Sequence, residues 1–163
     1  MPNWVKTIVH AVNEKVDFTK FTNDDGDFTF EKVIPMPEDI YREDLGERER
    51  QQYGSRNWYD WSIENWGTKW DACDVNTEKR TVIFNTAWDF ALPVIRELAK
   101  MVGDLLCFYA DEDIGCNCGA LFIRADGSLK EIDANIVFAE CVWGDLDLED
   151  RIDCVKRFDY LFD

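Results

Sequence analysis

Asn57 to Asp71 reads NWYDWSIENWGTKWD and holds four of the chain's seven tryptophans, Trp58, Trp61, Trp66 and Trp70. At helical spacing Trp58, Tyr59, Trp61, Ser62, Ile63 and Trp66 cover more than half of the circumference, and Asp60 and Glu64 share the charged edge. A helix with so wide an apolar surface must be covered on most sides. The spacing therefore predicts a core helix whose indoles are hidden between helix and sheet. Asn57 or Ser55 can cap its start, and Gly67 can end it in a left-handed conformation.

On either side of this helix the apolar period changes from helix to strand. Upstream, Val5, Thr7, Val9 and Ala11 alternate with Lys6, Ile8, His10 and Val12, which puts apolar residues on both faces, as in a central strand. Downstream, Trp70 to Val75 and Thr81 to Ala87 alternate as two strands joined by a four-residue loop, Asn76-Thr77-Glu78-Lys79. On the first of these Trp70, Ala72 and Asp74 share a face. Trp88 to Val102 is the second core helix, with Ile95, Leu98, Ala99 and Val102 on one side, Gly103 as its stop, and Pro93 moving its true start toward Leu92. Asp104 to Ala110, Ala120 to Arg124 and Leu129 to Asp133 complete the strands, the last two joined at Asp126-Gly127.

The order strand, helix, hairpin, helix, strand predicts an α+β fold of the ferredoxin-like β-α-β-β-α-β type, an antiparallel sheet with helices on one face. The expected division is one domain over residues 1–163. Its core is 1–13 and 57–133, with an insertion at 14–56 and an acidic extension at 134–163. Within the insertion, Phe18 to Ile34 reads as a hairpin around Asn23-Asp24-Asp25-Gly26, and Tyr41 to Tyr53 as a solvated helix or loop. In the extension Ile136 to Trp143 fits either helix or strand. Asp145 to Asp163 has helical spacing at Leu148, Ile152, Val155 and Phe158/Phe162.

Three segments together resemble the YubB-type ferredoxin-like family of small, largely uncharacterised phage, plasmid and integrative-element proteins. They are PNWV at Pro2–Val5, NWYDWSIENWGTKWDA at Asn57–Ala72, and ADEDIG-x-N-x-G at Ala110–Gly119. The resemblance spans Met1 to Asn13 and Asn57 to Gly144. It implies a mobile-element origin and carries over no catalytic residues.

Acids outnumber bases 34 to 18 over 163 residues, a formal net charge of −16. That field disfavours nucleic-acid phosphates and anionic lipid and favours a basic protein partner. No apolar run reaches a membrane span, and the first residues lack a signal peptide's basic start and long apolar core, so a cytoplasmic protein is expected. The six cysteines then read as free thiols, and the single histidine, His10, as a structural strand residue without a triad or His-rich metal site.

Two clusters carry candidate chemistry. Asp111-Glu112-Asp113 can hold a hard cation or act as an acid/base group. Adjacent carboxylates point in different directions, however, and turn-fixing hydrogen bonds are the simpler role. Cys107, Cys116 and Cys118 lack the Cys-x-x-Cys pairs usual for zinc. There is no Gly-rich phosphate loop, Gly-x-Ser-x-Gly elbow or His-Glu-x-x-His helix, so neither an enzyme nor a cofactor is expected. The expected function is binding of a host protein, with a nucleic-acid-binding defence protein as the leading class. That would be a counter-defence inhibitor of the anti-CRISPR or anti-restriction type with a DNA-mimic-like negative surface. Its expected contacts are Asp145, Asp147, Glu149, Asp150 and Asp153.

Overall fold

Trp4–Ala11 (β1) is apolar on both faces because it lies inside a sheet, antiparallel to a strand on each side. The structure, a computed structural model, describes residues 2–113 and 117–132. Within them the remaining strands are Cys73–Thr77 (β2), Thr81–Ala87 (β3), Leu105–Asp111 (β4), Cys118–Ile123 (β5) and Leu129–Ile132 (β6). The helices are Glu47–Tyr53 (α1), Trp58–Trp66 (α2) and Leu92–Val102 (α3). The sheet order is β2-β3-β1-β4-β5-β6. β3 separates β1 from β2, and β1 separates β3 from β4. The chain therefore makes two interleaved split β-α-β units, the ferredoxin-like arrangement, extended by the β5–β6 hairpin.

Side-chain alternation assigns the sheet's two faces. Val5, Val9, Val82, Phe84, Leu105, Cys107, Leu121 and Ile123 join Trp66 of α2 and Val94, Ile95, Leu98 and Ala99 of α3 in one core. Ile8, Ile83, Leu106, Phe108, Ala120 and Phe122 fall on the opposite face and are also buried. His10 lies there too, buried, its Nδ1 2.8 Å from Thr81 Oγ1.

α2 starts and stops where the sequence indicates. Asn57 Oδ1 accepts from the Asp60 N–H at 2.9 Å, and Gly67 closes the helix at φ 77°. A Cβ on Gly67 would come within 2.9 Å of Pro93 Cδ, so glycine also lets the ends of α2 and α3 approach. The indoles are less enclosed than their spacing suggests. Trp66 is buried, Trp58 and Trp61 are half-buried, and Ile63 is exposed. α1 buries no residue, in keeping with its charge density.

Two expectations are corrected. Phe18–Ile34 is not a hairpin. It consists of 3-10 turns at Phe18–Phe21 and Phe30–Lys32, linked by one bridge, Thr22 to Phe28. Asp17 and Thr29 each cap the following turn with a side-chain oxygen, offering the backbone a local alternative to a ladder. Phe18, Phe28 and Phe30 then enter the main core. Phe28 stacks on Phe84 at 5.8 Å, and Phe30 meets Phe84 and Trp66 edge-on at 5.4 and 5.8 Å. Each buried phenylalanine contributes about 1.5–3 kcal/mol, so this segment is part of the core.

The second correction concerns β2, which begins at Cys73. Trp70 and Asp71 precede it, and Asn76 and Thr77 pair with Ile83 and Val82 instead of forming the loop. Asp71 holds the chain back from the sheet. Its carboxylate accepts the N–H groups of Phe30 and Ala72, each at 2.7 Å, and the Thr29 hydroxyl at 2.5 Å. Asp74, at φ 47°, sits within a register shift, so it does not continue a face with Trp70 and Ala72.

Candidate functional site

The five acids expected to contact a partner, Asp145, Asp147, Glu149, Asp150 and Asp153, lie outside the described residues, as do Ile136 to Trp143 and Cys116. The structure does place the Asp111–Asp113 cluster. Asp111 ends β4 and is buried, and its Oδ1 accepts the Asp113 N–H at 2.8 Å. Glu112 turns the other way, where its Oε1 accepts the Trp4 N–H at 2.9 Å. The first two carboxylates therefore fix a turn and a strand end. Among the described residues no three His, Cys, Asp or Glu side chains gather as a metal site. Cys107 lies wholly inside the core, and burial pushes its thiol far up from the ordinary range, opposite to what a thiolate ligand needs. Cys118, on β5, is a free thiol.

A cleft of about 580 Å³ opens between α2, α3 and the Val33–Pro35 segment, lined in part by Glu64, Arg96, Glu97 and Lys100. Its cations are engaged. Lys100 pairs with Glu97 at 2.6 Å, and Arg96 Nε donates to the Gly127 carbonyl at 3.2 Å.

Among the described residues, the two exposed tryptophans lie near where β1 begins and β3 ends. Trp88 is 48% exposed and Trp70 36%. The half-buried Trp4 ring lies 6.2 Å from Trp70. The Lys69 ammonium is 4.3 Å from the Trp70 ring centroid, 5.1 Å from Trp88 and 5.9 Å from Tyr59. Trp88 adopts φ 67°, a left-handed conformation that a bulky side chain rarely takes. Its N–H donates to the Asn3 carbonyl at 2.9 Å, which ties the turn to the start of β1. The exposed Asp89 follows Trp88 directly, and the exposed Glu112 reaches the start of β1 at Trp4. Sequence reasoning assigned Trp70 to a strand face and Trp88 to a helix start. The available signal was Trp70 beyond Gly67, outside the helix whose spacing argued for burial.

Comparison with known proteins fits this architecture. The family model described as the ferredoxin-like domain in Api92-like protein matches residues 65–152, more than half of the chain. The chain belongs to this family. In structural terms the Api92-like match begins at the last turn of α2 and runs through all the later strands among the described residues. Among solved structures, the chain is similar to a crystal structure of protein api92 from Yersinia pseudotuberculosis. The two share 13% identity and a TM-score of 0.40, over 48% of this chain and 31% of that one. This chain thus corresponds to about a third of that protein's length. Among curated proteins, none matches. No helix among the described residues is long and apolar enough to cross a membrane.

Proposed function

We propose that this Api92-like domain is a non-enzymatic binding protein of a phage- or plasmid-type mobile element, whose negative surface engages a basic host protein. The YubB-type resemblance supports the origin. The observation that carries the binding role is the net charge of −16 on 163 residues. A field of that sign raises encounter rates with a basic groove and repels phosphate. Carboxylates spaced along one surface compete for a groove that otherwise holds nucleic-acid phosphates, so a nucleic-acid-binding defence protein is the target class of choice. Asp145, Asp147, Glu149, Asp150 and Asp153 are the proposed contacts. The Asp111–Glu112 carboxylates, already engaged by backbone N–H groups, support a structural role at that turn.

The test begins with a pull-down from host lysate. Asp147, Glu149, Asp150 and Asp153 are then changed together to lysine, and binding of the captured protein is measured against salt. Loss of affinity with a flatter salt slope is expected. Unchanged affinity and slope, or no enriched nucleic-acid-binding partner, would leave the acidity serving solubility alone.

A further inference from the structure

We propose that Trp70 and Trp88 form a clamp for an arginine side chain of a basic protein partner, and that Lys69 occupies this clamp in the free protein. The inference rests on the partner-binding reading above and gives it a second, non-acidic contact point. Three independent features converge on these residues.

The first is exposure. Trp70 and Trp88 are the two most exposed indoles among the described residues, and they neighbour each other through the same lysine. Tryptophan is enriched among the residues that dominate protein–protein binding energies.

The second is backbone strain. At φ 67°, Trp88 holds a conformation that glycine or asparagine adopts at much lower cost. Asp89 is exposed, but Phe90 and Ala91 just beyond it are buried, so the chain needs this reversal to turn back into the core. It does not need an indole at the reversal. Tryptophan there adds strain and exposes apolar surface, and neither strengthens the fold.

The third is the chemistry of the current occupant. Lys69 places its ammonium against both rings, so the site already accommodates a cation. Asp89, next to Trp88 in the chain, and Glu112, bonded to the Trp4 N–H, add negative potential. A guanidinium is planar, stacks on indole and is more weakly hydrated than an ammonium, so it displaces Lys69 in preference to another lysine. Single-stranded nucleic acid also stacks on exposed aromatics, but these carboxylates and the net charge oppose its phosphates.

The test titrates the full chain with a short peptide carrying two arginines, following tryptophan fluorescence and calorimetry. The same peptide with citrulline in place of arginine and a thymidine oligonucleotide serve as comparisons. Arginine peptide alone is expected to bind. Trp88→Gly and Trp70→Ala should each weaken it about fivefold, and Lys69→Ala should tighten it. Trp88→Gly should melt no lower than the wild type, because glycine relieves the left-handed backbone, so lost binding cannot be ascribed to unfolding. Equal binding to Trp88→Gly, Trp70→Ala and wild type would overturn the clamp. If the lysine variants of Asp147, Glu149, Asp150 and Asp153 still lost binding in that case, the charge-based reading would survive without it. Tighter binding of the oligonucleotide, or weaker binding by Lys69→Ala, would also overturn the proposal.

Discussion

Tyr109 lies directly across Gly119. The two are paired between β4 and β5, and a Cβ on Gly119 would come within 2.7 Å of the Tyr109 hydroxyl oxygen and 2.9 Å of its ring. On its other side the Tyr109 ring stacks on Phe90 at 4.1 Å and 3°. The glycine makes room for the ring, and the ring links the sheet to the turn that leads from Trp88 into α3. Gly119→Ala should destabilise the fold by about 1–3 kcal/mol, since neither neighbour can move freely. Urea midpoints for Gly119→Ala, alone and with Tyr109→Ala, check this. The penalty should largely vanish when Tyr109 is also removed.

Thr7 presents the opposite situation. It is fully buried, and its hydroxyl has no partner among the described residues. Replacing that hydroxyl by a methyl group removes an unmet polar burial while keeping the shape. Thr7→Val should raise stability by about 1 kcal/mol. Thermal and chemical denaturation would read this as a higher midpoint; a lower one would mean the hydroxyl is satisfied.

Asp71 is the anchor between the inserted segment and the start of β2. Asp71→Ala would release the Phe30 and Ala72 N–H groups and the Thr29 hydroxyl at once. A loss of about 2–4 kcal/mol is expected, several charge-assisted bonds being removed together. Amide exchange should show Phe30 losing protection before the β1–β3 ladder does.

Two aspartates set a small acid dependence. The Thr19 hydroxyl and N–H hold the Asp17 carboxyl below the usual range, and Ser128 does the same for Asp126. A carboxyl whose folded pKa lies below its unfolded value stabilises the fold above the unfolded value. That contribution disappears as pH falls through the depressed folded value. Between neutral pH and about pH 4 it should be intact, and below that it should fade. The Asp17→Asn, Asp126→Asn double variant should show a shallower stability decline in that acid window. Asp126 is exposed and Asp17 only half-buried, so the difference will be small.

Thiol reactivity should follow burial. Cys107 is enclosed with its thiol pushed up, and Cys73 is pushed up by burial and by the Asp74 and Asp71 carboxylates. Site-resolved alkylation should leave Cys107 unmodified in the native protein and label it only with global unfolding. Fast native labelling of Cys107 would contradict its place in the core.

Local signals made part of this molecule legible. The α2 boundaries rest on Asn57 and Gly67, which act within one turn of themselves. Pro93 limited the start of α3, and the two-faced apolarity of β1 predicted its interior position. The Phe18–Ile34 segment reads as a hairpin because Asn23-Asp24-Asp25-Gly26 offers a turn between two phenylalanine-containing flanks. Asp17 and Thr29 caps, together with distant bonds to Asp71 and Thr77, select 3-10 turns instead. The aromatic surface was missed because helical spacing argues for burial only as far as the helix runs. Gly67 ends it before Trp70, and nothing local marks Trp88 as left-handed.

Outside the Phe18–Ile34 segment, the sequence by itself determined the kinds of element, their order and the negative charge, because periodicity, caps and ionisable groups are properties of neighbouring residues. The tertiary structure alone decided which tryptophans meet water, where β2 begins, and that the Lys69 ammonium lies against both Trp70 and Trp88. Those outcomes depend on contacts between residues far apart in the chain, such as Asp71 with Phe30 and Trp88 with Asn3. Such pairs are set by packing and backbone closure, and no local pattern encodes them.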